Sequence, residues 1–206
     1  TITKLLNATN FTFQHLKDFD GKKPSLEVMD RWILSSLQHL VQSNTKAFTV
    51  YEYSKVRLDT EKFFWQFCDY HLEIVKDRLY NSEKRGNKGK KSAQYTLYHT
   101  LLTLMKMFAP IMPYVSEEIY QEHYRNKEKA KSIHLSEWPS FKKEFIDKKA
   151  EATGMLFVDI LGKVRQFKSR ENKSMKQEII LTLEKENMIA LKDCLDDLQA
   201  VTQAQE

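Results

Sequence analysis

The stretch from about Val50 to Tyr80 constrains the fold more than any other part of the chain. Its apolar and aromatic positions recur at steps of three and four along two neighbouring lines. These are Tyr53-Val56-Thr60-Phe63-Phe67-Tyr70-Ile74 and Phe64-Cys68-Leu72-Val75-Leu79. Side chains spaced this way merge into one broad face of an α-helix. At ~1.5 Å per residue the helix is a rod of roughly 45 Å. A rod with so wide an apolar face needs companions along most of its length. Composition agrees, since five glycines and four prolines are too few for a turn-rich all-β fold. A hydrophobic share of 41% in 206 residues is enough to fill a core.

Periodicity supplies the companions. A first helix spans Thr1 to about Leu16, with Leu5, Leu6, Phe13 and Leu16 apolar, and Gly21 and Pro24 close it. A second starts near Ser25 with the stripe Met29, Trp32, Ile33, Leu37, Leu40 and Val41, and turns at Asn44 to Ala47. After the rod, Ser82 to Ser92 is polar, basic and glycine-containing, and reads as a loop. A fourth helix runs from about Ala93 to Ala109 with Leu97, Leu101, Leu104 and Phe108 inward, and Pro113 opens a further one. "SIHLSEWPS" is an extended strap anchored by Trp138. Beyond it a helix from about Phe141 to Ser169 carries Phe145, Leu156, Ile160, Val164 and Phe167. "QEIILTLEKE" alternates like a strand whose partner is another short extended segment or sequence outside the chain, and "MIALKDCLDDLQAV" returns to helical spacing. The expected fold is mainly α: a helical bundle over residues 1–140 and a small C-terminal α/β appendage over residues 141–206.

Several function classes find no support. Cys68, Asp69 and His71 hold the letters of a nucleophile and its base, but Cys68 falls inside the apolar stripe, where a thiolate is disfavoured. The six histidines are scattered singly with no Cys-x-x-Cys, so neither a metal site nor catalytic residues are assigned. "RGNKGKK" lacks the spacing of a phosphate-binding loop. Two distant cysteines and no apolar run near ~18 residues fit a cytoplasmic, reducing setting and no membrane. "TITKLLNATN" lacks both an initiator methionine and a secretory core, so the chain reads as a piece of a larger cytosolic protein.

Charge placement is more informative than the mild excess of 33 Lys+Arg over 28 Asp+Glu. One basic cluster is Lys84, Arg85, Lys88, Lys90 and Lys91; another is Lys163, Arg165, Lys168, Arg170, Lys173 and Lys176. Either alone is as readily a solvated face. Two at helix ends, with Tyr80 and Phe167 beside them, favour a nucleic-acid backbone with unstacked bases nearby.

"NATNF", "MDRWILSSLQHLV", "FFWQFCDYHLEIVKDRLYN", "APIMPYVSEEIYQ" and "SIHLSEWP", in that order, resemble the anticodon-binding domain of class I aminoacyl-tRNA synthetases. The likeness covers about residues 1 to 140 and extends more loosely to 206. The form of Trp65 to Leu79, and "KVRQFKSRENKS" before a strand-like run, are most similar to the valyl type. The family's His-Ile-Gly-His signature and nucleotide-binding fold have no counterpart here, and "KSMK" shares only composition with its second signature. The resemblance implies an RNA-reading part with no cofactor of its own. Valine activation with ATP, and loading of tRNA(Val), would belong to an upstream catalytic domain of the same protein. It also implies where RNA docks. Asn10 stands where the family carries an arginine. Phe19 and Tyr80 would stack on anticodon bases, and Asn81 would bond a base edge. Lys22, Lys23, Lys88, Lys90 and Lys91 would meet phosphates, with Lys163, Arg165, Lys168 and Arg170 on the tRNA stem. The alternatives are an isoleucyl counterpart and a helical protein-interaction module with basic loops.

Overall fold

Apolar spacing becomes helix packing in the computed structural model, which describes residues 2–205. Helix α1 (Ile2–Gln14) buries Leu5, Ala8, Thr9 and Thr12, and Leu16 follows just beyond. Leu6 stays exposed, Phe13 is half-buried, and Thr1, the expected start, lies outside the described residues. Helix α2 (Val28–Thr49) sends Met29, Trp32, Ile33, Leu37, Leu40 and Val41 into the centre. It passes straight through the expected turn at Asn44 to Ala47. Asn44 is buried, and its Nδ2 donates to Thr60 Oγ1 of the rod at 2.8 Å. A residue type that normally marks turns is here a polar tie between helices.

The rod is helix α3 (Tyr53–Gln66) continued by α4 (Leu72–Tyr80) through a π-helical turn, Phe67–His71. Of the two expected stripes, only exposed Tyr53 and half-buried Tyr70 escape burial. Fully burying a phenylalanine is worth about 1.5–3 kcal/mol, so Phe63, Phe64 and Phe67 are the main anchors. The π turn fits an extra residue into the winding and re-aims the faces beyond it. Here it sits where His71 turns onto α2, with Nε2 2.8 Å from Asp30 Oδ1.

The expected loop from Ser82 to Ser92 is helical instead. A short α5 (Ser82–Arg85) is followed by Gly86 and then α6 (Asn87–Phe108). Gly86 has φ 82°, a left-handed conformation that a residue with a Cβ adopts only at a cost, so the chain changes direction there. The basic first turn of α6 is solvated, and a helix end with no apolar face to bury reads as loop in composition. Leu97, Leu101, Leu104 and Phe108 point inward as expected. Pro113 sits in the first turn of α7 (Pro113–His123). In the strap, Trp138 Nε1 donates to Thr45 Oγ1 at 2.9 Å, and its ring lies 4.7 Å from that of Phe48.

Helix α8 (Lys148–Arg170) starts later than the sequence suggests, because Asp147 caps it by accepting from Ala150 N at 2.9 Å. Phe141 to Asp147 stay with the strap. Helix α8 lies against α2, and the approach is set by Gly154. A Cβ at that position would fall 2.2 Å from Trp32 Cγ. The inward stripe is Ala150, Thr153, Gly154, Phe157, Ile160, Leu161, Val164 and Lys168.

The alternating run after α8 forms no strand ladder among the described residues. Its single pairing is an isolated parallel bridge between Ile179 and Ala204, with Ile179 N donating to Gln203 O at 3.0 Å and Gln205 N to Ile179 O at 2.9 Å. Ile179, Leu181 and Leu183 are half-buried and the residues between them exposed, so the alternation is real. The only partner it finds is a short tail. The appendage is therefore mostly helical, with α9 (Lys185–Ala190) and α10 (Leu195–Thr202), and Leu191, Cys194 and Leu198 join the same core as the bundle. No helix among the described residues is long and apolar enough to cross a membrane.

Candidate nucleic-acid interface

The end of α4 is an open aromatic corner of the bundle. Tyr80 is exposed, its ring propped edge-on against His15 at 4.6 Å and near Phe11 at 6.3 Å, both from α1 and the residues after it. Asn81 follows, also exposed, its Nδ2 donating to Asp77 Oδ1 at 2.6 Å. Lys84 and Lys91 are exposed and have no ion pair among the described residues. Lys88 reaches Glu27 at 3.4 Å and Lys90 reaches Asp18 at 2.6 Å. Surface pairs of this kind are worth about 0–1 kcal/mol, so a phosphate can displace either carboxylate. Lys22 is exposed, while Lys23 lies 4.2 Å over the ring of Phe145. Asn10 is exposed on α1.

Two expected contacts are corrected by the packing. Phe19 serves the fold: its half-buried ring packs 5.3 Å from Tyr98 with Lys127 Nζ 5.9 Å above it, so it is no open stacking platform. Lys168 is buried, and its Nζ donates to Met175 O at 2.9 Å, Gln177 O at 2.6 Å and Thr202 O at 2.9 Å. Three backbone carbonyls satisfy the three donors of an ammonium group. Lys168 therefore staples the C-terminal segment to α8, with its ammonium group withdrawn from the basic surface.

The rest of the second cluster stays outside. Lys163 pairs with Asp159 at 2.7 Å one turn back, and Arg170 with Glu171 at 3.0 Å. Arg165 lies 5.3 Å over the ring of Tyr70. Tyr70, Lys76, Tyr80, Asn81, Arg165 and Lys176 share one groove of about 1140 Å³ between the rod, α8 and the C-terminal tail, so the groove links the Tyr80–Asn81 corner to the second cluster. Its rod wall carries Asp69, Glu73 and Asp77, so the cationic wall is the α8 side. The sequence does not mark Tyr70 and Lys76 as RNA contacts, and it marks Lys176 only as a member of the second basic cluster. Tyr70 lies near the end of one apolar stripe, and Lys76 falls on the rod flank beside the stripes. Cys68 also reaches this groove, but burial pushes its thiol up to about 12, which leaves it unreactive at neutral pH.

Behind the corner lies a buried chain of charges. Asp30 of α2 accepts from His71 Nε2 at 2.8 Å, from Arg78 NH1 at 2.6 Å and from Ser92 Oγ at 2.5 Å. Burial alone would raise the carboxyl, yet Arg78, His71 and Ser92 together hold it well below the usual carboxylate range. Arg78 Nε lies 3.2 Å from Asp197 Oδ1 of α10, and Arg85 NH2 donates to the same oxygen at 2.5 Å. Burial raises Asp197 to about 6 against the pull of both arginines. Burial likewise keeps His71 neutral to lower pH than a free imidazole.

The sequence that builds this site has counterparts among known proteins. A family model described as the anticodon-binding domain of tRNA ligase matches residues 30–185. A valine–tRNA ligase of Rickettsia felis is 38% identical over 218 aligned residues, covering 100% of this chain and 25% of its own. One from Methanosarcina mazei is 37% identical over 175 residues, covering 82% of this chain and 19% of its own. One from Pyrococcus furiosus is 33% identical over 172 residues, with 82% and 19% covered. The chain spans about a quarter or less of the length of these relatives.

Proposed function

The chain belongs to the family of anticodon-binding domains of tRNA ligases, and on that premise we propose that it is the anticodon-reading part of a valine–tRNA ligase. The full protein joins valine to tRNA(Val) using ATP in the cytoplasm, with the chemistry in a separate catalytic domain. This part needs no cofactor, because its task is to hold one end of the RNA. The names and identities of the relatives support the valyl assignment.

The observation that carries the reading is the exposed Tyr80–Asn81 corner at the end of a rod whose remaining length is locked into the core. A rigid aromatic platform with an adjacent amide suits splayed single-stranded bases: the ring stacks and the amide reads an edge. Lys84 and Lys91 meet phosphates there, and Lys22, Lys88 and Lys90 add to the field around them. The groove toward Arg165 then guides the backbone from loop to stem, with Lys163 and Arg170 on its outer side. Asn10 contributes a polar contact from α1.

The test is fluorescence anisotropy of the chain with valine tRNA and with the same tRNA bearing a scrambled anticodon. The native anticodon should bind more tightly. Tyr80→Ala should cost about 1–3 kcal/mol of binding, the worth of one stacked base, and leave thermal stability unchanged within about 0.5 kcal/mol. Equal affinity for both RNAs would overturn anticodon reading.

A further inference from the structure

Helix α5 raises a mechanical question. It is a single turn of four residues, Ser82–Arg85, with no buried residue and no side-chain cap. A turn that short does not hold itself, since nucleating a helix costs more than one turn of hydrogen bonds returns. It nevertheless carries Lys84 and fixes the carbonyl of Asn81, which accepts from Lys84 N at 3.0 Å and Arg85 N at 2.9 Å. Something outside the turn must hold it.

The one side chain of α5 bound to other helices at several points is Arg85. Its Nε lies 3.3 Å from Asp77 Oδ2 on α4, its NH1 3.6 Å from Asp196 Oδ2, and its NH2 2.5 Å from Asp197 Oδ1, the last two on α10. The side chain is only 17% exposed. Asp197 is buried and shares the same oxygen with Arg78, which is anchored in turn on Asp30. The planar guanidinium is thus held from two sides by elements whose positions the core fixes, and hydrogen bonds to charged groups are the stronger kind.

We infer that Arg85 and Asp197 act as a clamp through which the C-terminal helix positions the RNA-facing corner, so that anticodon selectivity depends on α10. This rests on the proposed function for its RNA half only; the clamp itself is testable without RNA. Both are positioning residues. Asp196, 83% exposed and the most distant partner, is dispensable.

Hydrogen exchange followed by NMR on the intact chain reads the clamp directly at the amides of Lys84, Arg85 and Gly86. Asp197→Asn and Arg85→Ala should each speed their exchange about tenfold or more, the scale of one lost charged hydrogen bond, while amides of α2 and α3 keep their protection. The Arg85→Ala/Asp197→Asn pair should be no faster than Arg85→Ala alone, because Asp197 reaches the turn only through Arg85. Asp196→Asn should change nothing. Should Asp197→Asn unfold more widely, Arg85→Ala, at the bundle's edge, decides alone. Unchanged exchange in Arg85→Ala would overturn the clamp.

The second readout is the affinity ratio between native and scrambled anticodons. The clamp predicts that this ratio falls in Arg85→Ala and is largely kept in Asp196→Asn. A ratio unchanged while exchange rises would remove the positioning role. A native chain with no anticodon preference would instead refute the proposed function, and the exchange result would still report on the clamp.

Discussion

Two seams of the bundle are built on opposite physics. Between α2 and α8 the fit is one of shape: Trp32 fills the space left by Gly154, and polar groups sit at the margin, with Arg31 bonded to Asp147 and Ser35 and His39 to Glu151. Between α4, α5 and α10 the fit is one of charge, with Asp30, Arg78, Asp197 and Arg85 linked in sequence and largely out of water. Shape complementarity tolerates small rotations; a chain of short, directional ion contacts tolerates them less. The region that presents Tyr80 and Asn81 is the one held by the more directional forces, at the desolvation cost that burying charge carries.

The largest predicted effect comes from cutting that charge chain at its root. Asp30→Ala leaves His71 Nε2 without its acceptor and Arg78 dependent on Asp197 alone. Breaking a buried pair costs about 3–5 kcal/mol, to be measured by urea denaturation. A loss under about 1 kcal/mol would mean that the corner is held by apolar packing like the rest, and the contrast between the regions would fail.

The counterpart at the shape-held seam is Gly154→Ala. The added methyl meets the buried base of an indole, which has no flexible end to give way. Overpacking of this kind costs about 1–3 kcal/mol, and the loss should centre on α8, seen as weakened exchange protection from Phe157 to Val164. A neutral or stabilising Gly154→Ala would show that α8 can slide, and that shape is the looser constraint in fact as well as in principle.

This contrast also explains what could be read from the sequence. The shape-held parts rest on periodicity, which is local, so the rod, the second helix and the Pro113 helix were legible with bounds shifted by a few residues. The charge-held corner was not, because Asp30 and its partners His71 and Arg78 are 41 and 48 residues apart and each is an ordinary polar letter in a helix. Lys168 is the instructive case. Of the apolar positions read along this helix, Ile160 and Val164 are buried, Leu156 is half-buried and Phe167 is exposed. Lys168 lies one turn beyond Val164 on the buried line with Phe157 and Leu161, so the spacing puts this lysine inward, whereas its residue type places it outside among the basic residues. For the candidate site, Tyr80 and Asn81 were visible as the end of a rod, whereas the groove joining them to Arg165 depends on how α8 packs, which no local pattern encodes.

The smallest effect separates the two regions by pH, because their carboxylates are displaced in opposite directions. Glu151 is raised by burial, but its bonds from Ser35, Lys148 and His39 outweigh that and lower it from 4.5 to about 2. A lowered acid supplies stability that is complete above its unfolded value and lost as pH falls from 4.5 toward 2. Asp197 is raised to about 6 by burial, with Asp30 and Glu27 adding to the rise and Arg78 and Arg85 opposing it. A raised acid contributes most below its unfolded value, and the contribution disappears as pH climbs through 6. Acidification from pH 7 to 5 should therefore leave the urea midpoint level or slightly higher, while the arginines of the corner lose an ionised partner. Below pH 4.5 the midpoint should drop as Glu151 is protonated, with Asp30 joining at the acid end. Glu151→Gln should be less stable than the native chain at pH 7, with the gap narrowing below pH 4.5 and closing only as pH nears 2, where both lack the charge. If the gap between them stayed constant across that range, the margin of the α2–α8 seam would owe nothing to the ionised carboxylate, and the seam would be held by shape alone.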